Sequence, residues 1–149
     1  MKRQALRARR GFTLTELMVA LTVITILTGV IALNVVRYVE KARVQRAVSD
    51  VKVLATAVME YEADHRRYPT LEQGLEALVR KPARPPVPAE YPAGGYLQTD
   101  NIPLDPWNRP YVYVVPGPEG RPFEILSLGR DGVVGGQGQD ADISNLIAQ

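Results

Sequence analysis

Two groups of residues in this chain have the types and spacing to do chemistry. The first lies near the C-terminus, where five glycines and three aspartates (Asp131, Asp140 and Asp142) fall within residues 129–142 and Arg130 is the only counter-charge. Glycines let a backbone turn tightly enough to aim carbonyl oxygens inward. Carboxylates and carbonyls together supply the roughly six to eight oxygen ligands that Ca²⁺ takes, and without a cation three converging carboxylates repel one another. Two other readings fit the same residues: one copy of a calcium-roll nonapeptide beginning at Gly135, an architecture that needs stacked copies, or a solvated acidic turn with no metal. The second group is Glu16, the only charge between Phe12 and Val36. An acidic side chain inside such a segment costs at least about 2 kcal/mol on insertion scales and so calls for a partner.

Other chemistries are poorly supplied. There is one histidine (His65), no cysteine, and three serines (Ser49, Ser127 and Ser144), none in a nucleophile motif. Thiol catalysis, a Cys-ligated metal and a disulfide are excluded, and an enzyme is not expected. The chain carries 18 Lys and Arg against 16 Asp and Glu, with a pI near 9.0. Five of those basic residues (Lys2, Arg3, Arg7, Arg9 and Arg10) precede Gly11, leaving 13 basic against 16 acidic groups in residues 12–149. The body is mildly acidic, which argues against nucleic acid as a partner.

The elements that must position these groups begin with the 20 uncharged residues from Leu17 to Val36. At ~1.5 Å per residue they match a hydrocarbon core of ~30 Å, and the preceding basic cluster favours a cytoplasmic N-terminus. A cleaved secretory signal is too short to account for the stretch. A twin-arginine signal has no place for Glu16, and an ordinary single-pass anchor gives no reason for it. Beyond Val36 the pattern turns amphipathic, with Val44, Val48, Val51, Leu54, Ala55 and Val58 on one face, so a single helix is expected from about Phe12 to His65. Tyr68-Pro69 ends it. Thr70 to Gln73 has the form of a capping box opening a short helix to about Val79, with Leu71, Leu75, Leu78 and Val79 to bury. The five prolines in 82–92 make an extended surface loop. Residues 111–115 and 123–127 read as antiparallel strands, and Tyr96-Leu97 as a short third. Trp107 is expected to anchor sheet to helix. The fold class is α+β, a long N-terminal helix packed on a small antiparallel sheet.

The boundary Arg9-Arg10-Gly11-Phe12-Thr13-Leu14-Thr15-Glu16 resembles the class III signal of type IV pilins and pseudopilins. Asp105-Pro106-Trp107-Asn108-Arg109-Pro110-Tyr111 resembles the DPWG-x-PY stretch of the major pseudopilins of type II secretion, with Asn108 in place of glycine, and residues 126–143 resemble their SLGADG…GG…DADI stretch. The resemblance implies a type IV pilin-like fold with a leader (1–11) that a prepilin peptidase removes after Gly11, methylating the new N-terminal Phe12. It implies a transmembrane and assembly helix (12–36), a periplasmic head (37–149), and location in the bacterial inner membrane before assembly. Glu16 would neutralise the Phe12 ammonium of a neighbour in a homopolymeric periplasmic filament, or that of its own chain before assembly. Minor pseudopilins and an inner-membrane assembly platform would be partners. Calcium would be held by the side chains of Asp131, Asp140 and Asp142 and the carbonyls of Leu128 and Val133. The function implied is a structural subunit helping to drive folded exoproteins across the outer membrane, with a type IV pilin for adhesion, motility or DNA uptake as the alternative. A proline common in the family, associated with helix melting, is replaced by Leu33, with the weak helix formers Gly29 and Asn34 nearby.

Overall fold

The computed structural model describes residues 11–146, with the side chains of 29–35 left outside the description. The expected leader residues 1–10 lie outside it, as do the side chains of Leu33 and Asn34, although the backbone at Gly29, Leu33 and Asn34 is described as helical. The chain divides into two compact units, Met1–Val39 and Glu40–Gln149.

Helix α1 runs Leu14–His65, close to the expected limits. Its start is a reciprocal cap: the Glu16 amide donates to Thr13 Oγ1 (3.2 Å) and the Thr13 amide donates to Glu16 Oε2 (3.3 Å). This pairing satisfies two backbone donors that a helix start otherwise leaves open. In the first unit the apolar side chains are exposed around the whole circumference, with Leu17, Met18, Val19, Leu21, Val23, Ile24, Ile26 and Leu27 all about half or more uncovered. Thr22, Thr25 and Thr28 each donate their hydroxyl to the carbonyl four residues earlier, at 2.8 Å. Among the described residues no helix is long and apolar enough to cross a membrane; the uncharged run continues through residues 29–35.

In the second unit α1 supplies the core. Ala47, Val51, Leu54, Ala55, Ala57, Val58 and Tyr61 are buried in one cluster with Leu75, Leu78, Leu97, Tyr111, Tyr113, Phe123, Ile125 and Ile143. The helix stops at His65 because Arg66 adopts a left-handed backbone (φ 57°), three residues ahead of the proline expected to end it. The capping box at Thr70 forms on both sides, with Gln73 N donating to Thr70 Oγ1 and Thr70 N donating to Gln73 Oε1. The element it opens is shorter than expected, a turn followed by a 3-10 helix at Leu75–Leu78. Gly74 (φ 59°) interrupts any regular helix, and Leu71 is left exposed rather than buried.

Strands β1 (Val112–Val114), β2 (Glu124–Ser127) and β3 (Ile143–Ser144) form an antiparallel sheet in that order. Tyr113 faces Ile125 across β1 and β2, and Ser127 faces Ile143 across β2 and β3. The third strand is thus not Tyr96-Leu97. Both of those amides donate to the Leu78 carbonyl and close a turn onto the 3-10 helix, made possible by Gly95, where a Cβ would sit 2.6 Å from that same oxygen. The C-terminal residues take the vacant edge of β2, fastened by Asn145, whose Oδ1 accepts from Ile125 N (2.7 Å) and whose amide donates to Ile125 O.

Candidate functional site

The glycine and aspartate segment is the connection from β2 to β3, so both of its ends are fixed by the sheet. A buried carboxylate sets the floor beneath it. Asp105 (3 % exposed) accepts from the amides of Trp107 (3.0 Å) and Arg109 (2.8 Å) through Oδ1 and from the Ser127 hydroxyl (2.7 Å) through Oδ2. The turn this creates carries Asn108 with φ 67°, a left-handed conformation that Asn tolerates better than most side chains. Trp107 is half-buried against the core, its indole N–H shut off from solvent with no partner. Arg109 then reaches up, its guanidinium donating to the Gly129 carbonyl (2.9 Å). Gly132 (φ 73°) lies against that guanidinium so closely that a Cβ would sit 2.5 Å from its central carbon.

Within the loop, the expected calcium donors have different partners. Asp131 is exposed and accepts from the Val133 amide (3.1 Å). The Leu128 carbonyl accepts from the Gly132 amide (3.0 Å), which closes the first turn, while Val133 is exposed at the tip. Asp142 accepts from the Gly135 amide through Oδ2 (2.8 Å), and its Oδ1 is buried with no partner. Asp140 is gripped by Arg130, Nε to Oδ1 at 2.9 Å and a terminal nitrogen to Oδ2 at 3.2 Å. The Arg130 amide also donates to the Gln139 carbonyl (3.3 Å) and its side chain to Gln139 Oε1 (3.1 Å). The bond to Asp140, with that carboxylate's charge, raises the Arg130 pKa further above its ordinary value.

Three acidic side chains gathered tightly enough to hold a metal are not found among the described residues. The donor chemistry nevertheless fits a hard cation: every available atom is oxygen, and the orphaned Asp142 Oδ1 is the kind of buried acceptor that a cation satisfies. Of the three carboxylates, that of Asp140 is the one already held by a cationic side chain, Arg130.

At the other candidate site, Gly11, Phe12 and Glu16 are all exposed, and Glu16 Oε2 is engaged by Thr13. Thr13 was missed as a site residue in the sequence reading. The Thr-x-x-Glu spacing of 13–16 is the same signal that marks Thr70 and Gln73.

With this geometry in view, comparison with known proteins is decisive. A family profile described as Type II secretion system (T2SS), protein G matches residues 34–146. The chain belongs to this family. A second profile, the prokaryotic N-terminal methylation motif, matches residues 6–32 and so covers Gly11, Phe12 and Glu16. Relatives of the protein G family include the Type II secretion system core protein G of Pseudomonas aeruginosa, 43% identical over 93% of this chain and 96% of that one. That of Vibrio cholerae is 43% identical over 97% and 96% of the two chains. The crystal structure of the major pseudopilin from the type 2 secretion system of enterohaemorrhagic Escherichia coli aligns with a TM-score of 0.61 and 39% identity, covering 75% of this chain and 93% of that one. The chain is therefore a pseudopilin, a structural protein and not an enzyme, and its family is that of secretion rather than of adhesive or motile pili.

Proposed function

We propose that the chain is cut after Gly11 by a prepilin peptidase, methylated on Phe12, held in the inner membrane through residues 12–36 with its head in the periplasm, and polymerised into a pseudopilus that helps drive folded exoproteins outward. One observation carries this reading: among the described residues of the first unit, the apolar side chains from Leu17 to Leu27 are exposed around the helix. Such a surface requires lipid or neighbouring helices. The three threonines support it, because each hydroxyl donates to its own helix and leaves no free O–H donor facing a hydrocarbon. Minor pseudopilins and an inner-membrane platform are the further partners this role requires. The test is complementation: in a bacterium lacking its protein G pseudopilin, this chain restores secretion, and Gly11→Val, which blocks cleavage, does not. Secretion by an uncleaved Gly11→Val chain would overturn the processing step.

Calcium is the cofactor of this reading. Asp131, Asp140 and Asp142 would hold it with the Leu128 and Val133 carbonyls, and the ion would supply the positive charge that draws the β2–β3 connection together. The support is the all-oxygen donor set, the unpartnered Asp142 oxygen and the family resemblance of the loop. Free calcium at a hundredfold its Kd stabilises the fold by ~2.7 kcal/mol. A chelator should lower the melting temperature, and Asp131→Ala should abolish the difference; an identical melt with and without chelator would end the claim.

A further inference from the structure

The β2–β3 connection already contains a cation. Arg130 presents two nitrogens to the two oxygens of Asp140, and the same residue bonds Gln139 through both backbone and side chain. Together these bonds tie the first limb of the loop to the last. The pairing is possible because Gly129 (φ 62°) lets the limbs close: a Cβ there would stand 2.8 Å from the Ala141 carbonyl. In the SLGADG stretch of the resembling family an alanine occupies the position of Arg130, a side chain with no charge to offer.

We infer that Arg130 is an internal counter-ion that closes this loop when no metal is bound, and that calcium and Arg130 compete for the carboxylate of Asp140. The inference rests on the calcium reading above and deepens it. A planar guanidinium forms a two-pronged pair with a carboxylate and uses the very lone pairs a metal would take. Full use of Asp140 by calcium therefore requires the Arg130 fork to leave. The pair itself is half-exposed, 51% at Arg130 and 33% at Asp140, which keeps the clasp weak enough for an ion to open. The consequence for the molecule is a loop that stays shut in metal-poor surroundings and binds calcium less tightly than its donor set alone would allow.

The test uses the full chain in detergent micelles, wild type, Arg130→Ala and Arg130→Lys, with thermal melts in chelator and calorimetric titration with calcium chloride. Arg130→Ala should melt at a lower temperature than wild type in chelator and bind calcium roughly two- to fivefold more tightly, the range set by a half-exposed ion pair. Arg130→Lys, which keeps the charge but has no fork, should fall between them, and it carries the same comparison if the alanine variant does not fold. Calcium binding to wild type with an unchanged Kd in the variants overturns the competition while leaving the calcium reading intact. A metal-free melt unaffected by Arg130→Ala overturns the clasp. No binding heat from any of the three proteins overturns the calcium reading and the competition together.

Discussion

A single buried carboxylate, Asp105, ties the turn before β1 to strand β2 through three hydrogen bonds. Removing it strands three donors, the Ser127 hydroxyl in the core and two part-buried backbone amides. Each such loss costs about 1–3 kcal/mol, so Asp105→Ala should destabilise the protein by roughly 3 kcal/mol or more in urea unfolding, and Ser127→Ala by about 2 kcal/mol, since it removes one bond to a charged acceptor. Equal effects of the two would mean that the amide bonds contribute nothing. Gly132 offers a second check. Its positive φ and its position under the Arg109 guanidinium both oppose a side chain, and Gly132→Ala should cost about 1–2 kcal/mol. Asp105 and Asn108 are both marked in the sequence by the resemblance of residues 105–111, in which Asn108 stands in place of a glycine. The work of Arg109 was not legible, because a bond from its guanidinium to a carbonyl twenty residues away leaves no mark in local spacing.

At the scale of elements, what was legible followed from periodicity and caps. The core face of α1 and both capping boxes are written in short-range patterns, the box at Thr13 in the same four-residue spacing as the one at Thr70. The β2–β3 pairing was not legible: β3 is two residues long, too short to show alternation, and its position depends on the glycine loop returning the chain to the free edge of β2. The cap made by Glu16 and its proposed charge pairing can be separated. Gln at an N3 position still caps a helix but carries no charge, so Glu16→Gln should leave Gly11 cleavage and helix start intact while filament formation, scored by electron microscopy, is lost. Glu16→Ala should lose the cap as well. Normal filaments from Glu16→Gln would remove charge pairing from the account.

For the molecule as a whole, the head is held by tyrosines as much as by aliphatic residues. Tyr111 donates to Asp50 (2.9 Å), Tyr113 to the Pro69 carbonyl (2.9 Å) and Tyr96 to Asp64 (2.9 Å). Burial, and then the neighbouring carboxylate at Tyr111 and Tyr96, raises their pKa values above the ordinary 10. The folded state therefore keeps these protons where the unfolded chain has released them. Their stabilisation is complete below pH 10 and declines as the pH rises beyond it. Denaturant midpoints measured from pH 8 to 11 should be flat at first and then fall, and Tyr111→Phe should fall less steeply above pH 10. A wild-type midpoint constant to pH 11 would contradict this assignment.

The threonines of the first unit have a consequence for how subunits find one another. Because Thr22, Thr25 and Thr28 commit their hydroxyl protons to their own backbone, these positions have no hydroxyl donor left for a neighbour, and in the proposed membrane setting exchanging lipid tails for another such helix gains little hydrophobic free energy. The described stretch therefore holds no hydroxyl donor that would fix one angle or one axial offset against a copy. Angular and axial registration of the polymer then falls to the few charged groups at its end and to the heads.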